Sequence, residues 1–204
     1  MRENGARRPV TAVCVHGAGG GGWEWGIWAR VLVVRGFGVV APDLMPAASG
    51  IAATAFADYR AQVAAWSGGV GAGVVLIGAS LGGLLALAAA HEVQPVALVL
   101  INPMPPAGVL SRALHEPSPA IVPWARERSL ASTRRAMPDA DDAACLYALR
   151  RWRDESGADA AVELVGGQVH RRPWRVGRDE SRHGRLTRSG RPGQQEDVAH
   201  ADRR

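Results

Sequence analysis

The segment Gly78-Ala79-Ser80-Leu81-Gly82 holds the residue types of an acyl-transfer centre in the pattern G-x-S-x-G. The apolar run Val74 to Ile77 leads directly into it, and the Leu/Ala-rich stretch Leu81 to His91 follows directly. Between a strand and a helix, such a serine sits on a sharp bend that projects its hydroxyl away from the sheet. Glycines two before and two after are needed because strand and helix pass too closely for a Cβ; Gly83 extends that contact. The free N–H groups of the helix N-terminus favour developing negative charge. The bland alternative is a serine that only caps the helix.

A second constellation, His16-Gly17-Ala18-Gly19-Gly20-Gly21-Gly22-Trp23, follows the β-branched run Val10 to Val15. A carbonyl becoming tetrahedral needs backbone N–H donors aimed at its oxygen, and a glycine-rich loop can turn its N–H groups inward. A phosphate loop and a flexible linker compete with that reading. The P-loop lysine is absent, since all 24 basic residues are Arg. Gly17 to Gly22 does satisfy G-x-G-x-x-G, and Asp43 stands about where a dinucleotide fold wants its ribose acid. On spacing alone that alternative stays open.

Elements that would position these residues are readable from periodicity. Gly38 to Ala41 is a second short strand and Val96 to Ile101 a fourth; Trp23 to Val34 and Ala52 to Trp66 carry apolar residues at helical spacing. Strands apolar on both faces that alternate with helices predict a mostly parallel sheet covered by helices on each side, the α/β class. After Asn102 the regularity falls away. Pro103 to Pro123 contains six prolines and reads as part of a loop or cap segment over 103–140 with at most short helices. A helical pattern returns from Ala140 to Asp154, with Leu146, Leu149 and Trp152 on one side, and Val162 to Val165 is a short strand or a helix end.

Together, His16-Gly17-x-Gly19, Ala41-Pro42-Asp43-Leu44, Gly78 to Gly83 and Val96 to Asn102 resemble the α/β-hydrolase family, over roughly residues 9 to 110. The resemblance implies that Ser80 is the nucleophile and that the N–H groups of Leu81 and Ala18 (or Gly19) form an oxyanion hole. It makes His16 an organiser of its loop and Asp43 a turn residue. Trp23, Trp25 and Trp28, with Met104 and Pro105, hint at an apolar acyl or aromatic substrate, against the plainer reading that the tryptophans pack helices.

A serine hydroxyl is a poor nucleophile without a base. The family order is serine, acid, histidine, with the last two on loops after later strands. The best fit is Asp179 as acid and His200 as base, yet no strand or helix pattern separates them. His91 lies about 15 Å along its helix from Ser80. His115, His170 and His183 stand in Pro-rich or unpatterned surroundings.

The domain expected is 1–165, followed by an Arg-rich tail, 166–204, too polar to offset its ordering entropy and therefore disordered. An altered reading frame or truncation near 157–166, which removes two strands with the acid and base, competes with a genuine basic appendage. A hydrolase fold without those strands would leave an open sheet edge and act as a binding module.

Charge follows the same division. Residues 1–149 carry 11 Arg against 10 acids, and 150–204 carry 13 Arg against 9. The near-neutral body argues against nucleic acid as a partner, and the apolar runs are too short to span a membrane. Two cysteines, Cys14 and Cys145, suggest no disulfide framework, and with no secretory signal the location expected is cytoplasmic. No cluster has metal-ligand spacing, so neither metal nor cofactor is expected, and the partner is a small-molecule acyl substrate.

Overall fold

A computed structural model describes residues 9–70, 73–106 and 119–157, all within the unit Met1–Gly167. Four parallel strands form the central sheet: β1 (Thr11–Val15), β2 (Gly38–Val40), β3 (Val74–Ala79) and β4 (Ala97–Ile101), in the order β2-β1-β3-β4. Thr11 lies opposite Gly38 on one side and Val74 on the other, and Val75 opposite Ala97. This order departs from the 3-2-1-4 arrangement of the dinucleotide fold.

Strand alternation divides the core into two layers. Val13, Val15, Val74 and Leu76 face Tyr59 and Val63 of α2 (Phe56–Gly68) and Leu81, Leu85 and Ala89 of α3 (Leu81–Val93). Ala12, Cys14 and Ile77 face the opposite way, towards Trp25 of a 3-10 turn (Gly22–Trp25) and Leu32 of α1 (Gly26–Val34). Burying each of these Val and Leu side chains contributes roughly 1.5–3 kcal/mol. Cys14 is one such packing residue: burial pushes its thiol up to about 11, where little thiolate forms at neutral pH.

The chain leaves β1 through α1 towards β2, and leaves β3 through α3 towards β4 on the other side. The strand order therefore reverses between β1 and β3, the switch point where open α/β sheets place their ligands, at the strands' C-terminal ends. His16-Gly17 and Ser80 emerge side by side at that point.

Three details refine the sequence expectation. The second helix starts at Phe56, after a separate 3-10 turn at Ile51–Ala53, because the Asp58 carboxylate accepts the Ala55 N–H at 2.8 Å and fixes the helix start there. The segment expected as loop or cap with at most short helices holds two of them after Pro123, α4 (Trp124–Glu127) and α5 (Leu130–Ala136); Ser129 and Ser132 cap α5 reciprocally. In α6 (Asp142–Leu149) the buried residues are Cys145 and Ala148, while Leu146 is 39% exposed.

A two-stranded antiparallel ribbon, β5 (Ile121–Val122) with β6 (Glu155–Ser156), completes the described elements. No described helix is long and apolar enough to cross a membrane.

Candidate active site

Ser80 has φ 51° and ψ −118°, a conformation L-residues rarely adopt, and its side chain caps no helix N–H. The capping-serine reading is thereby removed. The bend is held from both sides: Ser80 N–H donates to the Ile101 carbonyl at 3.1 Å, and the Ser80 carbonyl accepts the Met104 N–H at 2.9 Å. Such strain persists only where the surroundings over-determine it. A Cβ on Gly78 would lie 2.2 Å from the Gly82 carbonyl oxygen, and one on Gly82 would lie 2.2 Å from that of Val15. The half-buried Ser80 side chain rests on Gly17, where a Cβ would stand 3.3 Å from Ser80 Cβ and 3.9 Å from Oγ.

The glycine loop is shaped by contacts distant in sequence. Gly19 has φ +70°, and a Cβ there would meet Trp124 Cγ at 2.9 Å. Its carbonyl accepts the Arg153 N–H at 2.8 Å, and its N–H donates to Glu155 Oε2 at 3.1 Å. The Arg153 side chain donates to the Gly20 carbonyl at 2.8 Å and pairs with Asp43 at 3.5 Å. Asp43 in turn accepts the Gly22 N–H at 2.7 Å, so the residue weighed as a ribose acid is engaged in bracing the loop. Among the described residues, the N–H groups of Ala18 and Leu81 have no acceptor. They belong to the two segments that flank the Ser80 side chain.

His16 is fully buried. The Leu44 N–H can only donate, so Nε2, 2.9 Å away, is the acceptor; Nδ1 then carries the proton and donates to the Gly17 carbonyl at 2.8 Å. Burial, reinforced by the Arg153 charge, lowers its pKa and keeps it neutral. Both ring nitrogens are occupied, as suits an organiser of the loop. The other described imidazole, His91, is exposed in the last turn of α3. Among the described residues Ser80 Oγ has no hydrogen-bond partner. Asp179 and His200, together with His115, His170, His183 and the Val162–Val165 run, lie outside the described residues.

Sequence reasoning missed Glu24, Tyr59, Arg153 and Glu155. Glu24 lies over Gly20, and burial pushes its carboxyl up to about 7 against the opposing effects of the Gly17 N–H and Arg153. Glu155 is 5% exposed and accepts from Tyr59 OH at 2.5 Å. Burial first, and that carboxylate second, hold the Tyr59 phenol well above its ordinary range. Of the three tryptophans near the loop, Trp25 is core, Trp28 is 55% exposed, and Trp23 sets its ring edge-on to Tyr147 and Trp152. No group of His, Cys, Asp and Glu among the described residues is arranged to hold a metal ion.

His16 and Glu24 titrate in opposite senses. Below pH 6.5 the unfolded chain protonates its histidine while folded His16 resists, so stability is lost as pH falls. Between about 7 and 4.5 folded Glu24 binds the proton more readily than the unfolded chain, so stability is regained as pH falls. The two effects oppose each other below pH 6.5, so wild-type stability should fall less steeply there than that of Glu24→Gln. Glu24→Gln should unmask the His16 loss, at most about 1.4 kcal/mol per pH unit below 6.5, measured by urea unfolding. Parallel pH profiles for the two proteins would contradict the opposition.

A sequence model described as the alpha/beta hydrolase family matches residues 12–201. Among solved structures, the chain is similar to a tomato methylketone synthase I variant complexed with beta-ketoheptanoate, at 17% identity and TM-score 0.56, covering 72% of this chain and 68% of that one. It is similar also to the thioesterase domain from the curacin biosynthetic pathway, at 23% identity and TM-score 0.54, covering 72% and 58%. A methylesterase from Arabidopsis matches at 16% identity and TM-score 0.54, covering 72% and 66%. These three bear on the fold alone. The chain spans only 41% of the length of the pyrethroid hydrolase structures that it also matches, over 48% of its own. No curated protein matches it.

Proposed function

The chain belongs to the alpha/beta hydrolase family, and from that premise we propose that it hydrolyses an ester, thioester or related acyl bond with Ser80 as nucleophile. The observation that carries this reading is the strained bend at Ser80 (φ 51°), with its side chain against Gly17 and the unpaired N–H groups of Ala18 and Leu81 on either side. In the reaction, Ser80 Oγ attacks the substrate carbonyl, and those two N–H groups receive the developing oxyanion. His16, neutral and doubly bonded, keeps the loop in place and takes no proton. The base and acid are assigned to the C-terminal part, with His200 and Asp179 as the proposed pair, and the cell compartment to the cytoplasm. The substrate is a small acyl compound, and no step needs a cofactor.

The test is labelling by a fluorophosphonate probe, which reacts with an activated serine. Full-length protein should label at Ser80, and Ser80→Ala should not. Well-folded protein that stays unlabelled would favour the second reading, a hydrolase fold used for binding alone. That reading has one observation behind it: no described base touches Ser80 Oγ.

A further inference from the structure

Arg128 stands apart from the other charged residues near the loop. Its guanidinium carbon lies 4.3 Å from the Trp124 ring centroid and 4.5 Å from that of Trp152. Arg126 and Arg153, on either side of the same region, both have a carboxylate partner. Arg151 also stacks on an aromatic ring, over Tyr147, but donates to the Tyr147 carbonyl at 3.0 Å. Among the described residues Arg128 has neither an ion pair nor a hydrogen bond. The aromatic faces stabilise its charge but leave the in-plane N–H donors unanswered. A half-buried, partly desolvated cation with free donors calls for an anionic acceptor.

Its position says where that acceptor would come from. The same Trp124 ring that holds Arg128 packs on Gly19, two residues along the loop from the glycine beneath Ser80. We propose that Arg128 receives a carboxylate at the far end of the acyl substrate, so that the site selects half-esters of dicarboxylic acids over neutral esters. A planar guanidinium whose orientation is set by two indoles presents parallel N–H groups that match a carboxylate in bidentate fashion. The proposal deepens the hydrolase reading and rests on it for the location of the reacting bond.

Binding to full-length Ser80→Ala protein separates the two. The probes are monomethyl succinate, adipate and suberate against the corresponding dimethyl esters, followed by tryptophan fluorescence, since two indoles flank Arg128. At least one monoester is expected to bind ten- to a hundredfold more tightly than its dimethyl ester, the range of a charge-assisted bond. Arg128→Met should bring the pair level. Equal binding of mono- and dimethyl esters, no monoester binding, or a preference that survives in Arg128→Met overturns the proposal. Should Arg128→Met fail to fold, the mono- versus dimethyl comparison decides alone. Because nothing need react, failure of Ser80 to label leaves this result interpretable, and a labelled Ser80 does not rescue a failed preference.

Discussion

Gly82→Ala should destabilise the protein by about 3 kcal/mol or more, because overpacking that cannot relax lies at the upper end of its usual range. The added methyl would lie 2.2 Å from the Val15 carbonyl oxygen and 2.4 Å from that of His16. Both are backbone atoms at the end of a buried central strand, so no side-chain rotation can make room. Helix α3 would have to lift off β1, and the Ser80 bend, which hydrogen-bonds to β4 and to Met104, would move with it. Against a total stability of roughly 5–15 kcal/mol, that loss is a large fraction. Thermal unfolding should shift down by roughly 6–12 °C or more, or folded protein should be lost. Gly68→Ala, in α2 with nothing within 4 Å of the new methyl, is the control and should be neutral or stabilising by up to about 1 kcal/mol. Equal unfolding temperatures for wild type and Gly82→Ala would show that strand and helix are not in the close contact described.

The contrast between these glycines also indicates how much of the molecule was legible beforehand. The four parallel strands announced themselves as short apolar runs, and the bend at Ser80 as two glycines in a fixed relation to a serine. Both signals are local: β1 and β3 are buried on both faces and leave little room for polar residues, and a tight crossing cannot tolerate a Cβ. The opposite holds for Glu155 and Arg153. They reach the glycine loop from 136 and 133 residues away in sequence, and nothing near them in the chain marks them as anything but surface charge. Glu24 was illegible for another reason. An acid in the first turn of a helix is ordinary, and only its burial in the fold raises its pKa. In α6 leucine is a stronger hydrophobic signal in the sequence than Cys145 or Ala148, although that smaller pair is the one fully buried. The two residues proposed as acid and base, Asp179 and His200, lie outside the described residues.

Glu155→Ala should be the most damaging change among the residues that sequence reasoning passed over. Removal of this buried carboxylate leaves the Gly19 N–H and the Tyr59 hydroxyl without their acceptor. Each buried donor left unpaired costs about 1–3 kcal/mol, and entry of water recovers part, so a net loss of roughly 3 kcal/mol is expected by urea unfolding. Glu155→Gln keeps one carbonyl acceptor but brings an amide that can only donate, so it should fall between wild type and Glu155→Ala. An effect confined to stability would be ordinary. The particular consequence is at Gly19, whose φ of +70° and contact with Trp124 are held by Glu155 together with the backbone of Arg153. Freed from the carboxylate, the Gly19 N–H becomes a third donor beside Ala18, while the loop loses the tie that keeps it aligned with Ser80. Probe labelling of Glu155→Ala, at a temperature where it stays folded, should therefore slow by at least tenfold, because preorganised donors stabilise an oxyanion only while they are held in place. Unchanged labelling with reduced stability would mean that Glu155 secures β6 and Tyr59 and has no hold on the loop geometry around Ser80.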